Sequence, residues 1–287
     1  MVKSQKVAIV GFGTMGSGLA QVFAQYGFNV TAYTRSQSTL ERSLDLIQNG
    51  QFGLKKLVSK AKITEEQAKE ILSRIKATTD LREAVKDADF IVETVAEDIN
   101  VKKKIFSEID SLSPENAFIF SNTSSLSITA LAATTKRPER VAGMHFFNPA
   151  QVMKLVEIVR GLRTSDETIE KAKEVAIKLE KVPIVCKDVP GFVANRIGIL
   201  AILEGIRLYE QGIASAEDID KAMKFGFNWP MGPLELADLI GLDVLLSIAE
   251  SIYRDLGSPS FIPPLILKQL VEAGFLGRKT QKGFYTY

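Results

Sequence analysis

Short apolar segments alternate with longer amphipathic segments over about the first 185 residues, a pattern typical of an α/β domain. The strand candidates are residues 7–10, 30–34, 90–95, 117–121, 141–145, 155–159 and 183–186. Those up to Ser121 are separated by helical patterns, as expected for a parallel sheet covered on both faces. We therefore predict a mostly parallel sheet with helices on both sides.

The spacing of the remaining segments predicts an insertion and a second domain. Residues 38–74 are too many for a simple crossover helix, and with Gly50 and Gly53 they indicate a helical hairpin inserted after the second strand. Within it, "ITEEQ" places Thr64 at a helix N-cap, followed by acidic residues in the first turn. From Phe192 onward no strand pattern remains. The predicted domains are residues 1–187 and an all-helical domain of residues 188–287.

The first strand candidate leads into "GFGTMGSG", in which Gly11, Gly13 and Gly16 form a G-x-G-x-x-G motif. In such a motif the glycines permit a tight turn, close approach of the backbone to a pyrophosphate, and close packing of the following helix. A glycine-rich turn can also bind nothing. The position between an apolar strand and a helix favours dinucleotide binding.

The second strand candidate lacks the acid that usually accompanies this motif. A dinucleotide-binding unit normally carries Asp or Glu about 20 residues after the glycines. Here the strand ends in Thr34, followed by Arg35 and Ser36, and no carboxylate occurs before Glu41. The glycine motif is therefore either incidental or part of a site that prefers a different nucleotide.

His145 is the only histidine in the chain, so acid–base chemistry by an imidazole has one candidate. Glu157 follows twelve residues later, on a strand candidate with two apolar faces. A carboxylate buried in such a strand is costly unless it is paired. Pairing with His145 would remove that cost, orient the imidazole and stabilise its protonated form. The alternative is a buried histidine bonded only to backbone.

Polar residues also follow two other strand candidates, at the sheet edge where ligands bind in open α/β folds. "NTSS" starts at Asn122 and includes Ser124, which could contact a ligand or cap a helix. After the third strand candidate come Glu93, Glu97 and Lys102. As a run, Lys102 to Lys104 would by default lie on a solvent-exposed helix face.

Composition limits the classes of function. A net charge of +2 argues against a nucleic-acid partner bound through a broad basic face. The single Cys186 excludes a disulfide framework and a cysteine-rich zinc site. The apolar run from Ile197 stops at Glu204, short of the roughly 20 residues needed to cross a membrane. We also expect that no targeting segment precedes the first strand candidate. We expect no membrane or nucleic-acid partner, no metal, and a cytoplasmic location.

Six segments, in order, carry a family resemblance: "GFGTMGSGLA", "SNTSSLSIT", "HFFNPAQVMKLVEIV", "DVPGFVANRI", "GPLELADLIGLD" and "GRKTQKGFYTY". The chain resembles the L-3-hydroxyacyl-CoA dehydrogenase family from end to end. In length and layout it is similar to bacterial and archaeal 3-hydroxybutyryl-CoA dehydrogenases. The resemblance implies a Rossmann-type domain, then a helical domain that covers the substrate and forms a homodimer interface. It also implies a nicotinamide cofactor, an acyl-CoA substrate and a place in fatty acid metabolism.

The resemblance further assigns roles to individual positions. The catalytic positions of the family fall on His145, Glu157, Ser124 and Asn195. Cofactor contacts fall on Gly11, Gly13, Thr14, Met15, Gly16, Glu97, Lys102, Ser124 and Asn148. To these the end of the second strand candidate adds Thr34 and Arg35, where this chain departs from the family. Substrate contacts fall on Ser124 and Asn195, with Lys55 and Lys56 of the inserted hairpin as candidates for the CoA moiety. Without the resemblance, Asn195 is equally consistent with a helix-packing hydrogen bond.

The implied reaction interconverts a 3-hydroxyacyl-CoA and a 3-oxoacyl-CoA, with His145 exchanging the hydroxyl proton. A related dehydrogenase of a free hydroxy acid such as L-gulonate is one alternative. The 3-hydroxyisobutyrate dehydrogenase group is disfavoured, because "GFVANRIG" has no lysine at its helix start. A non-catalytic nucleotide-binding protein would need the glycine motif but not the His–Glu pair.

In register with the family, the acid that accepts hydrogen bonds from the adenosine ribose of NAD falls on Thr34. An acid there would repel a 2′-phosphate by about 4 kcal/mol at 4 Å and an effective dielectric constant of 20. Thr34 removes that repulsion, and Arg35 offers a guanidinium to the phosphate. We therefore predict that NADP(H) is preferred, with NAD(H) possible as an alternative cofactor.

Overall fold

The computed structural model describes residues 5–287. The chain divides into two compact units, one ending at Asp188 and the other comprising Val189–Tyr287. The predicted absence of a targeting segment concerns residues 1–4 as well, and these lie outside the described residues. Within the described part of the chain, no helix combines the length and apolar character needed to span a membrane.

The first unit is built on one eight-stranded sheet. Its strands are β1 (Lys6–Val10), β2 (Asn29–Tyr33), β3 (Ile75–Thr78), β4 (Phe90–Glu93), β5 (Phe118–Ser121), β6 (Val141–Phe146), β7 (Leu155–Arg160) and β8 (Val182–Lys187). Their order across the sheet is β3-β2-β1-β4-β5-β6-β7-β8. Neighbouring strands are parallel except β6 and β7, which are antiparallel. This confirms the predicted mostly parallel α/β fold.

Helices connect these strands and cover the sheet. They are α1 (Thr14–Gln25), α2 (Gln37–Asn49), α3 (Leu54–Ser59), α4 (Glu65–Ser73), α5 (Leu81–Val85), α6 (Ile99–Leu112), α7 (Ile128–Ala132) and α8 (Asp166–Lys178). The central strands are largely apolar because they are buried on both faces. Every residue of β4 and β5 is buried, and each of these strands has one polar residue, at its end. The polar groups that concern function therefore lie at the strand ends and in the loops.

Two features of the first unit differ from the prediction. β3 was not predicted, because this short edge strand includes the exposed Lys76 and lacks a long apolar run. The inserted hairpin contains three helices, since the chain breaks after α2 and resumes with the short α3. The N-cap predicted at Thr64 is confirmed as a capping box with Gln67, in which each side chain bonds the other residue's backbone N–H.

The second unit is helical, as predicted. Its helices are α9 (Ala194–Glu210), α10 (Ala216–Gly226), α11 (Pro233–Ile240), α12 (Leu242–Leu256) and α13 (Leu265–Glu272). They enclose their own apolar core, in which Leu203, Leu234 and Leu245 are fully buried. The C-terminal segment is fixed by Asp238, whose carboxylate accepts hydrogen bonds from the backbone N–H groups of Phe284 and Tyr285.

Candidate active site

The glycine loop lies between β1 and α1 and has little room for side chains. Gly11 has a φ of +111°, and a Cβ there would lie 2.6 Å from the backbone of Thr94 and Val95. A Cβ at Gly16 would lie 1.9 Å from the Gly11 carbonyl oxygen. Gly13 caps α1 without a side-chain hydrogen bond, and the first turn holds no acid. The helix N-terminus thus presents backbone N–H groups suited to an anion.

A groove of about 530 Å³ opens at the carboxyl ends of β1, β2 and β4. It is lined by Gly11, Phe12, Gly13, Tyr33, Thr34, Arg35, Thr39, Thr94, Val95, Ala96, Val101, Lys104, Ile105 and Glu108. Of the residues predicted to contact a cofactor, the groove thus brings together Gly11, Gly13, Thr34 and Arg35. Thr14, Met15 and Gly16 follow in the first turn of α1.

Arg35 is exposed at this groove and forms no ion pair with any residue in the described part of the chain. The pKa of the neighbouring Tyr33 phenol is raised, mainly by burial. The positive charge of Arg35 acts to lower this pKa, and the negative charge of Glu108 acts to raise it. The Ser36 hydroxyl caps α2 by accepting a hydrogen bond from the Thr39 N–H, 3.4 Å away. Arg35 and Lys104 are therefore two cations on a groove that also holds the Glu108 carboxylate.

A buried ion pair joins the end of β4 to the start of α6. Lys102 Nζ lies 2.7 Å from Glu93 Oε1 and 3.3 Å from Glu97 Oε2, and also donates to the Val95 carbonyl oxygen at 3.3 Å. Only 1% of Lys102 is exposed. The expectation of a solvent-exposed face is therefore wrong for Lys102, because α6 begins against the end of β4 and turns this side chain inward.

The two glutamates bound by Lys102 have opposite pKa shifts. Burial raises the pKa of Glu93, although Lys102 and hydrogen bonds from Ser121 and Val95 stabilise its ionised form. Burial also acts to raise the pKa of Glu97, but there Lys102 and hydrogen bonds from Thr123 and Ser124 outweigh it and lower the pKa. Glu97 is therefore held as a carboxylate at neutral pH.

The loop after β5 bonds to Glu97. Glu97 Oε1 accepts hydrogen bonds from the Ser124 N–H at 2.9 Å and from the Ser124 hydroxyl at 3.4 Å. Thr123 donates its hydroxyl to the same oxygen, and its own oxygen accepts the N–H of Leu126. The Asn122 side-chain oxygen accepts the N–H of Phe146, which ties this loop to the end of β6. The predicted cap is not in "NTSS", because the N-cap of α7 is Ser127. The contact of Ser124 with a ligand stays a prediction.

His145 and Glu157 face each other across β6 and β7. They are direct partners in the antiparallel register, and His145 Nδ1 lies 2.8 Å from Glu157 Oε2. Glu157 is completely buried and His145 is 5% exposed. The Phe147 ring stacks at a tilt on the imidazole, with the ring centres 4.5 Å apart. The antiparallel pairing places both residues near the sheet edge that carries the Ser124 loop.

The other predicted contacts lie elsewhere. Asn148 is exposed in the loop after β6. Lys55 and Lys56 are exposed on α3, and Lys55 lines a separate groove with Lys69 of α4. Asn195 lies in the first turn of α9, in the second unit.

Two residues at the site, Thr94 and Lys104, were not predicted as contacts, and Glu93 was placed at this sheet edge without a role. Glu93 ends an otherwise apolar strand, and a carboxylate at such a position indicates that a partner must compensate its burial. Thr94 donates its hydroxyl to the Gly11 carbonyl oxygen, and Lys104 lines the groove. Neither Thr94 nor Lys104 has a local pattern that would single it out, because their positions depend on how β4 and α6 pack against the glycine loop.

Comparison with known proteins identifies the family. Residues 6–189 match the family described as "3-hydroxyacyl-CoA dehydrogenase, NAD binding domain", and residues 191–287 match "3-hydroxyacyl-CoA dehydrogenase, C-terminal domain". A 3-hydroxybutyryl-CoA dehydrogenase of Clostridioides difficile is 46% identical over 282 residues, 98% of this chain and 99% of that protein.

Solved structures of the same family have the same fold as this chain. The (S)-3-hydroxybutyryl-CoA dehydrogenase of Ralstonia eutropha is 43% identical, with a TM-score of 0.94 and 99% of each chain covered. M. tuberculosis FadB2 is 41% identical, with the same TM-score and coverage. These similarities identify the protein as an oxidoreductase of the 3-hydroxybutyryl-CoA dehydrogenase type with a dinucleotide-binding domain. The chain belongs to the 3-hydroxyacyl-CoA dehydrogenase family.

Proposed function

We propose that this protein interconverts short-chain 3-hydroxyacyl-CoA and 3-oxoacyl-CoA, with 3-hydroxybutyryl-CoA as the preferred hydroxyacyl substrate. The observation that carries the proposal is the buried His145–Glu157 pair, which lies near the sheet edge where the cofactor groove opens. A chain that only bound a nucleotide would have no use for a buried imidazole–carboxylate pair. The names of the relatives support the acyl-CoA substrate.

His145 acts as the acid–base group. Its Nδ1–H donates to Glu157, so the proton of the C3 hydroxyl is exchanged at Nε2. Glu157 holds the ring in this orientation and stabilises the imidazolium formed when the hydroxyacyl substrate is oxidised. Ser124, next to the Glu97 carboxylate, positions the reacting oxygen. The role implied for Asn195 stays a prediction from the resemblance, as do the CoA contacts of Lys55 and Lys56.

The groove at the ends of β1, β2 and β4 fits a dinucleotide. Gly11 leaves the loop open to a pyrophosphate, and the N-terminus of α1 offers N–H donors and positive potential to it. Glu97, Lys102 and Asn148 are the further residues proposed to serve the nicotinamide half. When bound, the nicotinamide accepts hydride from C3 of the hydroxyacyl substrate or returns it.

We further propose that NADP(H) is preferred over NAD(H). Thr34 leaves the end of β2 without a carboxylate, and the exposed Arg35 guanidinium, which has no ion-pair partner among residues 5–287, suits a 2′-phosphate. The double substitution Thr34→Asp with Arg35→Ile should reverse the ratio of kcat/KM for the two cofactors. The single substitution Arg42→Ile, at an exposed position of α2 outside the groove lining, serves as a control for loss of one positive charge. A wild type that prefers NADH tenfold, or a double variant with an unmoved ratio, would contradict the proposal.

The substrate is tested by initial rates with acetoacetyl-CoA and longer 3-oxoacyl-CoAs, each with NADH and NADPH. We expect the highest kcat/KM with acetoacetyl-CoA. Activity with L-gulonate and none with any acyl-CoA would instead favour a free hydroxy acid as substrate. No hydride transfer in any combination would favour a non-catalytic nucleotide-binding protein. We also propose a homodimer formed mainly through the second unit.

A further inference from the structure

Glu93 occupies a central place in the polar network beneath the cofactor groove. It ends β4, is completely buried, and uses both carboxylate oxygens. Oε1 accepts hydrogen bonds from Lys102 Nζ at 2.7 Å and from the Val95 N–H at 2.6 Å. Oε2 accepts the Ser121 hydroxyl at 2.7 Å. One side chain thus binds both the loop after β4 and the end of β5.

The loop after β4 forms part of the groove wall. Thr94, Val95 and Ala96 all line the groove. Glu93 fixes the Val95 N–H, and Lys102, held by Glu93, donates to the Val95 carbonyl oxygen at 3.3 Å. Both backbone polar groups of Val95 therefore depend on the Glu93–Lys102 pair, and so does the position of this wall.

The network also extends to the loop that carries Ser124. Ser121, bound to Glu93, accepts the Thr123 N–H at 3.2 Å through its hydroxyl oxygen. Lys102 in turn lies 3.3 Å from Glu97, which accepts the Ser124 N–H. Two independent connections therefore run from Glu93 to the Ser124 loop, one through β5 and one through Lys102 and Glu97.

Stability alone does not account for this arrangement. A buried ion pair often contributes no more to stability than apolar side chains of similar volume. The Lys102 ammonium is 1% exposed, and its three contacts all go to groups at the ends of β4 and α6 that border the site. We propose that Glu93 is a positioning residue, whose carboxylate fixes the cofactor-groove wall and the Ser124 loop through Lys102 and Ser121. The consequence for cofactor binding rests on the proposed function.

The test compares Glu93→Gln with Asp110→Asn. Asp110 also forms a buried ion pair from α6, with Arg137, but it lies about two turns further along the helix from Lys102. In the protein without cofactor, Glu93→Gln should speed amide hydrogen exchange at residues 94–97 and 122–126. Asp110→Asn should leave exchange in these segments unchanged. Unchanged exchange in Glu93→Gln, or equal loosening in Asp110→Asn, would overturn the proposal.

The second measurement is the Kd of NADPH and NADH. Loss of a charged hydrogen bond that holds the wall should weaken binding of the preferred cofactor about tenfold in Glu93→Gln. Asp110→Asn should stay within twofold. A wild type that binds neither cofactor would refute the proposed function, while hydrogen exchange would still decide the positioning role.

A double variant separates positioning from folding, and it serves also if Glu93→Gln does not fold. Glu93→Gln with Lys102→Met leaves no unpaired buried charge, so we expect it to recover much of the thermal stability. It should not recover the protection of residues 94–97 and 122–126. Recovery of thermal stability and of this protection together would show that the Glu93–Lys102 pair matters only for folding, and would overturn the proposal.

Discussion

At the scale of single residues, the site contains buried carboxylates. Burial of a carboxylate is costly, and an ion-pair or hydrogen-bond partner offsets this cost. Glu157 and Glu93 are both completely buried, and each faces a nitrogen within 2.8 Å. An uncompensated charge at either position would destabilise the fold by several kcal/mol. We therefore expect substitutions at these positions to act through the partner that is left behind.

Substituting His145 tests the proposed chemistry most directly. We expect His145→Gln to lower kcat by about 10²–10⁴-fold, the usual contribution of general acid–base catalysis. Cofactor Kd should stay within about twofold, because His145 is outside the groove lining. Steady-state rates and fluorescence titration measure the two quantities. A variant within threefold of the wild-type kcat would refute the acid–base role.

The substitution Glu157→Gln tests the role of the carboxylate that pairs with His145. The amide cannot stabilise the imidazolium as a carboxylate does, so kcat should fall and the pH profile of kcat/KM should shift. Rates measured from pH 5 to 10 in wild type and variant give the comparison. If the two profiles coincide, Glu157 does not act through His145.

Cys186, on β8, should be unreactive at neutral pH. Burial, reinforced by Glu157 and Asp188, raises the pKa of its thiol to about 12. At pH 7.5 iodoacetamide should modify the folded protein roughly 10³-fold more slowly than the unfolded chain, whose thiol has a pKa of about 8.5. Mass spectrometry with and without urea provides the measurement and its control. Because the folded pKa is raised, the thiol also lowers the free energy of unfolding as the pH rises from about 9 to 12.

At the scale of elements, each functional group is placed by a strand end or a helix start. The ends of β1, β2, β4, β5 and β6 share one edge because these strands are parallel, and the groove and the Ser124 loop lie there. The antiparallel β7 starts at the same edge and supplies Glu157. The inserted helices α2, α3 and α4 supply none of the strand ends at this edge, and their boundaries depend more on local features such as helix caps.

The capping box of α4 gives a prediction for that insertion. Thr64→Ala removes the side-chain acceptor for the Gln67 N–H and should lower the free energy of unfolding by about 1 kcal/mol. Thr64→Ser keeps the acceptor, and because Ser is at least as good an N-cap as Thr, it should not lower the free energy of unfolding. Urea titration followed by circular dichroism gives both values. Equal losses in the two variants would show that the hydroxyl makes no contribution.

At the scale of the whole molecule, the second unit carries large apolar side chains that are exposed. Phe225, at the end of α10, is 84% exposed, and Phe227 just beyond it is 73% exposed. Exposed apolar patches of this kind commonly mark interaction surfaces. Together with the family layout, they favour association through this unit.

The predicted homodimer can be measured by light scattering. At micromolar concentration the particle should have about twice the chain's mass of 31.6 kDa. Replacing Phe225 and Phe227 with Ser should shift the equilibrium towards monomer on dilution. Leu162→Ser, at an equally exposed position in the first unit, should not. A wild-type mass of 31.6 kDa across this concentration range would refute the dimer.

The sequence by itself determined the features that depend on short-range spacing. Alternating apolar segments predicted seven of the strands, the G-x-G-x-x-G motif predicted the tight turn at Gly11, and "ITEEQ" predicted the cap at Thr64. Each of these rests on a few neighbouring residues whose geometry is fixed locally. The family motifs extended this to the order of the two domains.

Only the tertiary structure decided which distant groups meet. Lys102 reads as one of three lysines on a helix, but the folded chain buries it in an ion pair with Glu93 at the end of β4. The edge strand β3 exists because β2 offers it a partner, although its own sequence is weakly strand-like. The sequence already suggested that Glu157 pairs with His145, but the register that brings the two atoms to 2.8 Å comes from the antiparallel pairing of β6 and β7. Such contacts depend on the register and packing of whole elements, because one residue of slip would turn a side chain to the opposite face.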